Sequence, residues 1–370
     1  LSRTGLLALS AAWLGRPGAE APAREALAAA GRSPGDFARE ARAHRLAAVA
    51  LEAAERLGAG DGLLAALRAE ARAGTARALA LESAAAELAA AAKERGLSAA
   101  HLKGPAVDRS YGGRGLRTYD DLDLLVPAGQ LDLWRGCLRD LGYAPANPAG
   151  GSWLRGPAET VDLHSGALEL YGLIDVPEAL RPVRLDPEAM LSRAKPDANL
   201  AFPALAAEDE LLLAACHGFG LHLYARLVWA LDVAVLAAAA DPARVEAAAA
   251  ESGAGRMLFH AADAARRLGL LGEPPGGWLE RLRPGRLGRL ERLVVGRIVR
   301  GDAPERAEFL LALAMPAPAG FRRAMLRRAL LPSGRRLRQS AAAARGRGRL
   351  GGALRHFGQL ARIGALALWG

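Results

Sequence analysis

The sequence predicts an α+β protein in which a small mixed sheet lies between an N-terminal and a C-terminal helical region. Three observations carry this. Residues 1–96, and again those from about Ala207 onward, are rich in Ala, Leu and Arg, which favour helix. From Leu97 the pattern changes to short apolar runs punctuated by glycine. The chain has 370 residues, 51% of them apolar and 24% charged, and is long enough for more than one core. We read an N-terminal helical region 1–96, an α+β core 97–200, a helical domain 201–308 and an Arg-rich, mostly helical region 309–370.

The elements follow in order. "GLLALSAAWLG" reads as a short packing helix rather than a secretion signal. Ser33-Pro34 supplies an N-cap and a first-turn proline for the helix "DFAREARAHRLAAVALEAAERLG". Gly58 to Gly62 is a break, and Asp61 opens a long helix that Gly96 ends as a C′ glycine. A strand is expected near Ala99–Lys103, then a short helical turn and the glycine-rich loop "PAVDRSYGGRGLR". "DLDLLV" reads as the second strand. "AGQLDLWRGCLRDLGY" is an amphipathic helix, with Leu131, Trp134, Leu138 and Leu141 on one face and Gly142 at its end. Strands are expected at 153–155 and 159–164. The stretch "EDELLLAACHGFGLHLYARLVWALDVAVLAAAA" returns to helix.

The net charge is +10, and nearly all the cations are Arg; the only lysines are Lys93, Lys103 and Lys195. After Glu308 no acidic residue occurs, and the last 62 residues carry twelve arginines. That end is expected to bind RNA, an anionic membrane surface or an acidic partner, or to be a solvated face written by a GC-rich genome. Cys137 and Cys216 stand alone in helical patterns, which fits buried free thiols in a reducing cytoplasm and argues against a Cys metal site. No apolar run reaches the ~18 residues of a membrane span.

The chemistry concentrates in "RTYDDLDLLV", residues 117–126. On a strand Asp121 and Asp123 face one side and Leu122 and Leu124 the other. The two carboxylates then stand about 6–7 Å apart and repel unless a divalent cation lies between them. A turn with an exposed edge strand is the plainer explanation of such a pair taken alone. The context adds a glycine loop, Arg117 four residues before Asp121, and a third carboxylate, Asp162, in "TVDLH" on a later strand. His164 shares the Asp162 face and reads as a structural histidine, an acceptor-orienting group or a base. His217 and His222, five residues apart, do not share an α-helical face, so no metal is expected there. Arg226 and Asp232 read as a structural pair or a cleft lining.

In order, "HLKG", "RSYGGRGLR", "YDDLDLLV", "LRDLGY" and "VDLH" resemble a bacterial family of uncharacterised nucleotidyltransferases within the DNA polymerase β-like superfamily. The later "EDELLLAACHGFGLHLYARLVWALD" matches that family's E-L-L-L-x-x-x-H stretch and following helix. The resemblance is strong over 97–165, moderate to about 265 and weak in the flanks. It implies a nucleotidyltransferase core in which Asp121 and Asp123 hold Mg²⁺ or Mn²⁺ and Asp162 is the third metal carboxylate, helping to position a second metal and to activate the attacking hydroxyl. Lys103 and Gly104 occupy the turn where the superfamily usually has Gly-Ser or Gly-Gly. Pro105 there has no N–H for a phosphate, which leaves Lys103 as a point charge and Arg117 as a bidentate fork for the nucleotide, with His164 beside them. The implied reaction moves an NMP from an NTP to a hydroxyl acceptor, a small molecule, RNA or protein, with release of pyrophosphate. The rival reading is a degenerate transferase core that binds RNA or an anionic surface through the Arg-rich end.

Overall fold

A computed structural model describes residues 2–113, 115–146, 151–157, 159–165, 176–304 and 307–330. Residues 331–370, most of the Arg-rich region, lie outside the described residues, as do residues 166–175 that follow "VDLH".

Five helices open the chain: α1 (Ser2–Trp13), α2 (Glu20–Ala30), α3 (Pro34–Ala43), α4 (Ala47–Arg56) and α5 (Asp61–Glu94). The single helix expected after Ser33-Pro34 is two. The chain breaks at His44–Leu46, where Arg45 takes a left-handed φ of 58°. Nothing in the local pattern marks this corner; it exists because α3 and α4 each pack on α5. The end of α5 is as expected. Gly96 lies at φ 65°, and the N–H of Leu97 returns to Ala92 O at 2.9 Å, closing a Schellman-type cap.

The sheet comprises β1 (Ala100–Leu102), β2 (Leu122–Leu125), β3 (Ala144–Pro145), β4 (Ser152–Arg155) and β5 (Glu159–His164). Two helices are interleaved with these strands, α6 (Gly104–Asp108) after β1 and α7 (Leu131–Asp140) after β2. The strand order is β1-β2-β5-β4-β3, with β2 and β5 parallel and the other pairs antiparallel. The four expected strands and α7 are present; β3, two residues long and exposed, has too little apolar pattern to be read.

The remainder is helical: α8 (Pro187–Arg193), α9 (Ala207–Ala214), α10 (Leu227–Ala239), α11 (Pro242–Ser252), α12 (Gly255–Arg267), α13 (Trp278–Arg281), α14 (Arg289–Arg300), α15 (Ala307–Ala314) and α16 (Phe321–Leu330). Between α9 and α10 the expected continuous helix becomes a π-helical turn, Ala215–Leu221, then a bend in which Leu223 and Tyr224 take φ of 54° and 52°. Gly218 permits the close packing here, because a Cβ on it would sit 2.8 Å from Trp229 Cβ.

Strand alternation sorts the sheet into two faces. Leu122, Leu124, Val161 and Leu163 join Leu81, Leu88, Trp134 and Leu138 in a core under α5 and α7. Leu102 and Leu125 join the larger helical core. Asp123 therefore lies on the face turned toward the C-terminal helices, and so do Asp162 and His164 on β5.

Candidate active site

The parallel pairing of β2 with β5 sets Asp123 directly beside Asp162, and Leu125 beside His164. Ligand atoms of Asp123, Asp162 and His164 lie within 4.8 Å of one another. Asp123 is 7% exposed and both its oxygens are engaged. Oδ1 is 2.6 Å from His164 Nε2, and Oδ2 accepts from Lys103 Nζ at 3.4 Å. Burial by itself raises this carboxyl's pKa. The Lys103 ammonium and the His164 hydrogen bond outweigh it and hold Asp123 ionised well below the usual carboxylate range. Asp162 Oδ1 is buried with no hydrogen-bond partner. A carboxylate oxygen left in that state costs free energy unless a cation or a proton donor meets it.

Asp121 lies one residue before β2 and is outside this triad, but it feels the same charges. Burial, then the neighbouring Asp123, raises its pKa, and Arg45 and Lys103 oppose the rise. The donor set, two or three carboxylates and one imidazole, fits a hard divalent cation that shares its shell with phosphate oxygens. The imidazole tilts the preference from Mg²⁺ toward Mn²⁺.

Lys103 is placed by strain as well as by packing. It ends β1 with φ 53° and ψ −139°, and Gly104 follows at φ 38°. Two successive left-handed residues turn the chain sharply into α6. Pro105 falls in the first turn of α6, where a missing N–H is harmless. Gly104 thus serves the turn; its contact is with Tyr119, 3.6 Å from where a Cβ would stand.

A family model described as uncharacterised nucleotidyltransferase matches residues 31–269, well over half of the chain. The chain belongs to that family. No curated protein and no solved structure is a significant match. The match takes in Asp123, Asp162, His164 and Lys103, and α3 to α5.

Within the matched residues Arg117, expected as a phosphate ligand, is engaged by Asp232 instead. Its guanidinium is 3% exposed and grips Asp232, with Nε to Oδ1 at 3.0 Å and Nη2 to Oδ2 at 2.9 Å; Tyr111 Oη donates to the same carboxylate at 2.7 Å. Asp108 accepts from the N–H groups of Gly115 and Arg117, at 2.6 and 2.7 Å. The glycine loop before the aspartates is therefore strutted from both ends. The pair expected between Arg226 and Asp232 is not formed, because Asp232 faces Arg117 while Arg226 lies over the Trp229 ring, 5.8 Å from its centroid.

Two further residues of the site lie in the family's E-L-L-L-x-x-x-H stretch: Glu210, which the sequence reading passes over, and His217, which it names only to discount a metal. Glu210, 2% exposed, accepts weakly from the Lys103 N–H at 3.4 Å, and its other oxygen has no partner; burial pushes its carboxyl up to about 8. His217 Nε2 stands 3.4 Å from Lys103 Nζ, and burial followed by that ammonium holds the ring neutral. The spacing argument against His217 and His222 assumed an α-helix. In the π-helical turn five residues make about one turn. The N–H of His222 bonds His217 O at 3.0 Å, and the rings meet edge-on at 4.4 Å. His222 in turn stacks on Trp229 at 4.3 Å. These rings form an aromatic wall beside Lys103; among the described residues they are not part of a metal-type cluster.

Proposed function

We propose that the protein is a divalent-metal-dependent nucleotidyltransferase that moves an NMP from an NTP to a hydroxyl acceptor. The observation that carries this is the convergence of Asp123, Asp162 and His164 on one sheet face, with a buried Asp162 oxygen that has no partner. Asp123 and Asp162, with Asp121 at their edge, would hold Mg²⁺ or Mn²⁺. Bound there, the cation supplies charge neutralisation for the phosphates.

The chain's own groups do the rest. Lys103, fixed by its strained turn and by Asp123, offers a point charge to a phosphate oxygen. Asp162 takes the acceptor proton as the acceptor oxygen bonds to the α-phosphorus, the α–β phosphoanhydride bond breaks and pyrophosphate leaves. His164 fixes the Asp123 carboxylate and so the direction of its lone pairs. His222 and Trp229 wall the cleft on the helical side.

Calorimetric titration with each of the four NTPs, with and without Mg²⁺ or Mn²⁺, tests the reading. Metal-dependent binding of at least one NTP, abolished by Asp123→Ala/Asp162→Ala, is expected. A folded wild-type protein that binds none of them refutes the enzyme and leaves the degenerate core.

A further inference from the structure

Beside the carboxylates, three arginines from three separate parts of the chain converge on one half-exposed side chain. Arg45 Nη2 is 2.6 Å from Asp120 Oδ2, Arg77 Nε is 3.6 Å from Oδ1, and Arg226 Nη1 is 4.0 Å from Oδ2. The geometry points to an anion subsite formed by Arg45, Arg77 and Arg226 that takes the outer phosphates of the nucleotide, with Asp120 as the internal anion that the phosphates displace. This rests on the transferase reading and adds to it the residues that select a triphosphate.

Four observations support the site. First, the charges do not balance locally: three guanidiniums face Asp120, which is 51% exposed, and Asp121 is a second carboxylate near Arg45. Second, one of the cations, Arg226, sits where a helix disfavours it. Arg226 is the N-cap residue of α10, and the positive end of a helix dipole attracts anions. The N–H groups of Leu227 and Val228 are already taken by His44 Nδ1 and O, both at 3.3 Å, so the helix end itself is closed and the guanidiniums carry the charge. Third, the α3–α4 corner is held in a costly shape that aims Arg45 inward. Arg45 has φ 58°, its side chain is 13% exposed, and its Nε is buried without a hydrogen-bond partner. Fourth, the position suits the role. Asp120 is three residues from Asp123, at most ~10 Å of extended chain, within reach of a short polyphosphate whose inner phosphate lies at the metal carboxylates. Planar guanidinium forks are the groups best matched to phosphate oxygens.

This site also answers the missing phosphate loop. At the Lys103–Gly104 turn Pro105 has no N–H to offer, and the positive charge comes instead from the N-terminal helices and from the start of α10.

The test uses the full chain and four probes: NTP, the matching NMP, inorganic tripolyphosphate and sulfate. Arg77→Gln and Arg226→Gln, both at partly exposed side chains, are each expected to weaken NTP and tripolyphosphate at least about tenfold while leaving NMP unchanged. Asp120→Asn is expected to tighten tripolyphosphate, because it removes the competing carboxylate; a merely structural Asp120 would not do this. Wild-type NTP affinity in both Arg variants overturns the subsite and leaves the transferase standing. If the wild type binds no NTP, the transferase reading falls, and tripolyphosphate decides the subsite alone. Binding weakened by Arg226→Gln and tightened by Asp120→Asn upholds it; unchanged or absent binding, or an equal response to sulfate, ends it.

Discussion

Removing the Asp232 carboxylate should unfasten the loop that leads into β2. Asp232 lies in α10 and accepts from Arg117 twice and from Tyr111 once, all in a buried setting. Burial lowers the proton affinity of a guanidinium, but Asp232 reverses this and holds Arg117 firmly protonated. Asp232→Leu therefore strands a charge rather than merely deleting a contact. Breaking a buried pair from one side costs about 3–5 kcal/mol, and the orphaned Tyr111 hydroxyl adds about 1 kcal/mol. The double variant Arg117→Met/Asp232→Leu exchanges the pair for apolar groups and should lie within about 1–2 kcal/mol of wild type. Urea denaturation of the four proteins forms a cycle whose coupling energy is read directly. NTP titration of the double variant then separates two roles for Arg117: a strut permits near-normal affinity, whereas a phosphate ligand does not. A single variant that loses less than about 1 kcal/mol, or a double variant no better than the single, would refute the reasoning.

Three further outcomes are expected. Asp162→Asn should abolish metal-dependent binding yet leave stability unchanged or slightly raised, as measured by thermal unfolding without metal, because the carboxylate's buried Oδ1 has no partner to lose. Glu210 has a folded pKa of about 8 against an ordinary 4.5, so the fold holds a proton there that the unfolded chain releases. Stability then falls as pH rises from about 4.5 to 8, by about 3 kcal/mol at pH 7; the difference between wild type and Glu210→Gln across that window should show this slope, and a flat difference would exclude it. Gly218→Ala should cost about 1–3 kcal/mol by overpacking, since the new methyl meets Trp229 Cβ at 2.8 Å, and should disturb the His217–His222 wall, visible as a changed Trp fluorescence.

The secondary structure of the central core was legible because each signal was local. Glycine at 96 and 142, alternation in 122–126 and 159–164, and the 3.6-residue face of α7 depend on neighbours along the chain. The aspartates were legible for the same reason, as charged residues at the start of an apolar strand. Their grouping was less so. Asp121, Asp123 and Asp162 were expected as the carboxylates of the metal site; β2–β5 pairing puts Asp162 immediately beside Asp123 and brings His164 into the same cluster, with Asp121 one residue before β2.

What the sequence by itself determined is most of the core's elements, the sheet's two faces and the carboxylates on β2 and β5, because propensity, alternation and glycine turns act over a few residues. Tertiary structure alone decided which charge meets which. Arg117 turned inward to Asp232, 115 positions away, and Arg45, Arg77 and Arg226 met at Asp120. It also put a π-turn where an α-helix was expected, bringing His217 against Lys103. The physical reason is shared. A charge in a protein is settled by the desolvation and partners of its final surroundings, and segments far apart in the chain supply those partners only once they have packed.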